Sequence, residues 1–113
     1  MMLAMLLWMQ VSGGLDGAKG EVRVEDGVVH VRGKQACDVE LSDPDRERLA
    51  AALRKIKPGN WKEKYLDAAC RDCRRTKLQV GDRTVTWDDA SEQRVPKDAV
   101  AVARAMEPLL TCQ

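Results

Sequence analysis

The chain has 113 residues, enough for one hydrophobic core and too few for two. Apolar residues make up 44% and charged residues 33%, which excludes a disordered chain. Nineteen Lys and Arg face 18 Asp and Glu, interleaved along the chain, and aromatic residues are only 4%. That balance argues against nucleic acid as a partner, since it supplies neither a steering field nor a stacking platform.

Residues Met1 to Met9 are all apolar. Two readings are open. One is a secretory signal segment with Val11-Ser12-Gly13 as a small-residue cleavage site, although no cation precedes it. The other is a buried first strand, Met5 to Val11, feeding a glycine corner. The run is too short for a membrane span. The corner is Ser12-Gly13-Gly14-Leu15-Asp16-Gly17, with three glycines in five residues and one large apolar side chain among them. Glycine at this density marks a backbone that turns tightly or approaches something closely. Leu15 is then either folded onto the core or offered to a partner.

Glu21 to Val24 and Val28 to Arg32 flank Glu25-Asp26-Gly27 and predict a hairpin, because Asp-Gly accepts the positive φ that a tight turn requires. Val22, Val24, Val29 and Val31 alternate with polar residues, so one face is buried and one is wet. His30 sits among these valines. It is expected to face solvent or to take a neighbour's hydrogen bond. Cys37 to Leu41 reads as a short extension carrying Val39 and Leu41 inward.

Ser42-Asp43-Pro44-Asp45 predicts a helix start, with a capping side chain, a proline in the first turn and acids at the positive end of the dipole. Leu49, Ala52, Leu53 and Ile56 form its apolar stripe, and Pro58-Gly59 ends it. Asn60 to Arg74 is compatible with a short helix or with a loop pinned by Trp61 and one disulfide. Thr76 to Val80 and Arg83 to Trp87 form a second hairpin around Gly81-Asp82. Asp88 to Arg94 reads as a polar loop, with Asp88 and Asp89 as solvated turn carboxylates. Pro96 opens the last helix, whose core side is Val95, Ala99, Val102, Ala103, Met106 and Leu110, and Pro108 closes it. The expected fold is a single α+β domain, residues 1–113, in which two helices cover one face of an antiparallel sheet.

Four cysteines, Cys37, Cys70, Cys73 and Cys112, fit two disulfides in any of three connectivities. Zinc is a weaker fit, because one Cys-x-x-Cys pair is joined by two distant singles and a lone histidine. A redox role for Cys70 and Cys73 also stays open, since Arg71, Arg74 and Arg75 favour a thiolate. No nucleotide-binding, zinc-protease or nucleophile-elbow motif occurs. The sequence therefore predicts no catalytic residues, no metal and no cofactor. It reads as a binding protein rather than an enzyme, and as a monomer. The cysteines favour a secreted or periplasmic location; a first strand beginning from a true Met1 start favours the cytoplasm.

The segment Val11-Ser12-Gly13-Gly14-Leu15-Asp16-Gly17 resembles the strand-then-Ser-Gly-Gly-apolar-x-Gly opening of the emfourin family, proteinaceous inhibitors of protealysin and related thermolysin-like metalloproteases. The order that follows is similar too: Leu41 and the helix to Ile56, then Tyr65, Asp72 and the strand Thr76 to Val80, then Asp88 or Asp89 ahead of Val95-Pro96 and a final helix. The four cysteines depart from that pattern. The resemblance implies a competitive block of a zinc-protease cleft by Ser12, Gly13, Gly14, Leu15, Asp16 and Gly17, with Leu15 in the apolar specificity pocket. The competing expectation is a secreted or envelope interaction module in which Leu15 packs inward.

Overall fold

The computed structural model describes residues 6–14, 18–57, 59 and 61–112. Met5, the expected start of the first strand, lies outside them. The first strand β1 runs Leu7–Gly13, so Ser12 and Gly13 belong to the strand rather than to the corner after it. It is followed by β2 (Ala18–Glu25), β3 (Val28–Gly33) and β4 (Cys37–Glu40) as an antiparallel meander. Helix α1 (Asp43–Arg54) comes next, then the two-residue β5 (Lys64–Tyr65), β6 (Arg74–Val80) and β7 (Arg83–Asp88). A 3₁₀ turn (Asp89–Arg94), helix α2 (Lys97–Met106) and a second 3₁₀ turn (Glu107–Leu110) complete the chain.

The sheet order is β4-β3-β2-β1-β6-β7-β5, and only the β5–β7 pair is parallel. The first strand in sequence is thus the middle strand in space. Every residue of β1 pairs with β2 on one side and β6 on the other. Both hairpin turns follow their glycines. Asp26 and Gly27 both have positive φ (52° and 76°), while in Gly81-Asp82 the glycine alone does (62°).

Alternation sorts the side chains. Leu7, Met9, Val11, Val22, Val24, Val29, Val31, Leu78, Val80, Val85 and Trp87 point to one face and are buried. Against them pack Leu49 of α1, Ala99, Val102, Ala103, Ala105 and Met106 of α2, and Leu109 beyond it, all in one core cluster. The chain is therefore an α+β domain with both helices on one face. Ser42 caps α1 by accepting from the Asp45 amide (3.3 Å), and Pro96 precedes α2. Because β4 and β5 are opposite edges of the sheet, α1 and the segment after it must cross the whole covered face. A 12-residue helix of about 18 Å covers much of a seven-strand sheet about 29 Å wide.

Two expectations need correction. Val39 has the parity of the core face, yet it is 43% exposed, because β4 is an edge strand that the helices do not cover. Asp88 is not in a solvated turn: it is 2% exposed and caps a 3₁₀ turn where a polar loop was expected. Of the two readings left open for Asn60 to Arg74, the described residues 61–73 follow the loop: β5 is their only regular element, Trp61 is bonded to Asp98 and Cys70 to Cys73.

Candidate functional site

The β1–β2 connection leaves the sheet between its most heavily paired strands. Gly13 pairs with Ala18 on one side and Arg74 on the other, and both Gly13 and Gly14 have φ of +86°. An L residue is strained in that conformation. At Gly13 a side chain is excluded twice over, since a Cβ would lie 3.0 Å from the Cys73 carbonyl oxygen. The glycine end of β1 therefore rests directly on the Cys70–Cys73 segment. Ser12 is half-buried, opposite Lys19 on β2 and Arg75 on β6. Leu15, Asp16 and Gly17, the rest of the predicted binding segment, lie outside the described residues.

The four cysteines pair as Cys37–Cys112 and Cys70–Cys73. The first joins edge strand β4 to the end of the chain across 75 residues. There the Cys112 amide also donates to Gln35 Oε1 (3.0 Å). The second closes a loop of four residues. Both bonds sit at the sheet end from which the glycine loop emerges. Gly33, at φ 149°, adds a further close approach at that end; a Cβ there would lie 3.0 Å from the Lys19 carbonyl oxygen. Beside the loop is a cavity of about 490 Å³ lined by Val11, Gly13, Gly14, Arg74 and Leu110 among others. Lys19, Arg32 and Lys34 also border it, so its rim is cationic.

Asp88 organises the 66–94 region, a role that its reading as a solvated turn carboxylate did not give it. One carboxylate oxygen accepts from the Asp67 amide (2.7 Å) and the other from the Ser91 amide (2.9 Å). Burial opposes its ionisation, but these hydrogen bonds and the Arg75 charge outweigh that and hold its pKa below the usual carboxylate value. Asp67 in turn accepts from Ala69 (2.9 Å), which shapes the approach to Cys70. The only sequence signal was an acid three residues ahead of Ser91 at a strand end, a capping spacing.

His30 behaves as expected of a surface residue. Its Nδ1 lies 2.8 Å from Asp38 Oδ1, and Arg32 Nη1 reaches the same oxygen at 3.0 Å. His30 and then Arg32 draw the Asp38 pKa down. Among the described residues no three His, Cys, Asp or Glu side chains are grouped to hold a metal ion. No helix among those residues is long and apolar enough to cross a membrane. No protein-family model matches the chain, and no curated protein is similar to it in sequence at a significant level.

Proposed function

We propose that this chain is a proteinaceous inhibitor-like binding domain that offers the loop after β1 to the cleft of a thermolysin-like zinc metalloprotease. The observation that carries the reading is the stem of the loop. A glycine segment held by pairing to both neighbours of the central strand, and seated on a disulfide-closed turn, loses little entropy on docking. The cationic rim beside it suits an acidic surface around the target cleft. In this reading Leu15 fills the apolar specificity pocket, the flanking glycines let the backbone lie flat, and no catalytic group is required of the chain itself.

The test is a titration of a thermolysin-like protease with the wild-type chain and with Leu15→Asp. Burying a leucine contributes roughly 1.5–3 kcal/mol, so the variant should inhibit about 10- to 150-fold more weakly, with an unchanged melting temperature. Equal potency removes Leu15 as the anchor. A wild-type chain that inhibits no protease of the class, with a Leu15→Asp variant that melts lower, assigns the loop to the core of an interaction module instead.

A further inference from the structure

The sheet face opposite the helices carries a groove of about 770 Å³, separate from the glycine loop and independent of the inhibitor reading. Strand alternation puts Trp8, from the middle of the sheet, on its floor, and Trp61 forms a wall near the β5 edge. Both indoles are half-buried, and both have their N–H already engaged. Trp8 Nε1 donates to Glu21 Oε2 (2.9 Å) and Trp61 Nε1 to Asp98 Oδ1 (3.1 Å). What they present is fixed apolar ring surface rather than hydrogen-bonding capacity.

Around these rings stand Arg23, Lys64, Lys77 and Arg83. None of the four makes an ion pair among the described residues, whose ion pairs are confined to His30, Arg32, Arg48 and Arg104 with their acids. Lys77 Nζ lies 5.8 Å from the Trp8 ring centroid. Lys77 and Lys64 flank Thr86 from the two neighbouring strands, about 10 Å apart at two strand spacings. Thr84, Thr86 and Gln79 supply hydroxyl and amide groups to the floor, and Glu63 and Asp82 add two carboxylates.

We infer that this groove binds an acidic oligosaccharide, a chain of hydroxyl-bearing rings with carboxylates spaced along it. Each class of lining residue then has a use. The C–H faces of the sugar rings lie on Trp61 and on the part of the Trp8 ring that Lys77, standing over it, leaves open, and Thr84, Thr86 and Gln79 meet hydroxyls. Glu63 and Asp82 accept from hydroxyl donors, and the unpaired cations hold the carboxylates. Single-stranded nucleic acid fits the same surface less well. It has fewer hydroxyls per unit to meet Glu63, Asp82, Thr84 and Thr86. An acidic peptide would leave the indole faces without a flat partner. The volume is that of a small-ligand cleft.

The full chain is titrated with tetragalacturonate by calorimetry and by tryptophan fluorescence, with maltotetraose, tetraglutamate and an eight-residue oligothymidylate alongside. The expected result is saturable binding of tetragalacturonate with a fluorescence change. The other three should bind about tenfold or more weakly, and affinity should fall at higher salt. Lys64→Ala and Lys77→Ala, both surface changes, should each weaken tetragalacturonate about fivefold or more without altering the near-UV circular dichroism. Trp8→Ala should remove much of the fluorescence response; the lysine variants carry the test if it fails to fold. The inference is overturned if tetragalacturonate does not bind. Equal binding by maltotetraose denies the carboxylates a role. Equal binding by tetraglutamate or oligothymidylate reduces the face to its charge, and unchanged affinity in both lysine variants places the ligand elsewhere.

Discussion

Asp88→Ala is the sharpest test of how the 66–94 region is held. The substitution strips acceptors from two backbone amides, Asp67 N–H and Ser91 N–H, that the carboxylate engages at 2.7 and 2.9 Å. A hydrogen bond to a charged group is worth about 1.5–3 kcal/mol, and an abandoned buried donor costs about 1–3 kcal/mol. Taking the lower end of these ranges for each of the two amides gives about 2–3 kcal/mol for the pair. For a chain of 113 residues that is roughly a 10 °C drop in Tm. The sign of the pH dependence is fixed by the direction of the shift. The folded-state pKa of Asp88 is depressed below the ordinary carboxylate value. Its contribution is therefore complete above that value and is lost as pH falls through the lower folded-state pKa. Urea unfolding of wild type and variant from pH 7 to pH 2 should show a constant gap down to about pH 5 that closes in acid. A gap under about 0.5 kcal/mol at pH 7, or one that widens in acid, refutes the argument.

Other expectations follow from the same geometry. In the chain-entropy treatment, removing Cys37–Cys112 by a double Ser substitution costs about 4.5 kcal/mol, and removing Cys70–Cys73 about 2 kcal/mol, because the closed loops differ so much in length; chemical denaturation of the two variants should rank them in that order. Gly13→Ala forces a side chain into a left-handed backbone and against the Cys73 carbonyl, so it should destabilise by about 1–3 kcal/mol and speed amide exchange in residues 70–74. Asp98→Ala removes the acceptor of Lys57 N–H, Trp61 Nε1 and Ala99 N–H together. It should cost about 1–2 kcal/mol and shift the Trp61 emission, which a fluorescence-monitored melt reads directly.

The fold was legible where one local rule decided it. The Asp-Gly turn, the Gly-Asp turn, the Ser42 cap and the Pro96 helix start each follow from one or two residues, and the valine alternation names the buried face. What alternation cannot supply is which strands neighbour one another. Nothing in Leu7–Gly13 says that it will pair on both edges. Nothing in Val39 says that its partner layer will stop short of β4, so parity alone put it inside. Trp8 was hidden for a related reason. In an unbroken apolar run the wet positions look like the dry ones, and only pairing with Arg23 and Gln79 shows that it belongs to the polar face. The connection of Asp88 to Asp67 is a contact across 21 residues, a separation at which no spacing rule operates.

Covalent and steric constraint is spread unevenly over the sheet. At the end bearing Gly27 and Gly81 the turns are tight and conventional, and no disulfide is present. At the other end both disulfides close, two glycines admit no Cβ without displacing a backbone carbonyl, and a buried carboxylate stitches two loops together. Stability alone does not call for this asymmetry, since the core beneath is continuous from Leu7 to Val11 along β1. Local stiffness does have a use where a short exposed loop must keep its shape before it meets a partner, because the ordering cost is then met on folding rather than on binding. The prediction that separates the two uses compares potency with stability. On the proposed inhibitor reading, Gly13→Ala and loss of the Cys70–Cys73 bond, each measured well below its own melting point, should lower inhibition by more than their small remaining unfolded fractions account for. A loss of potency no larger than the unfolded fraction would mean that the bracing serves the fold and not the loop.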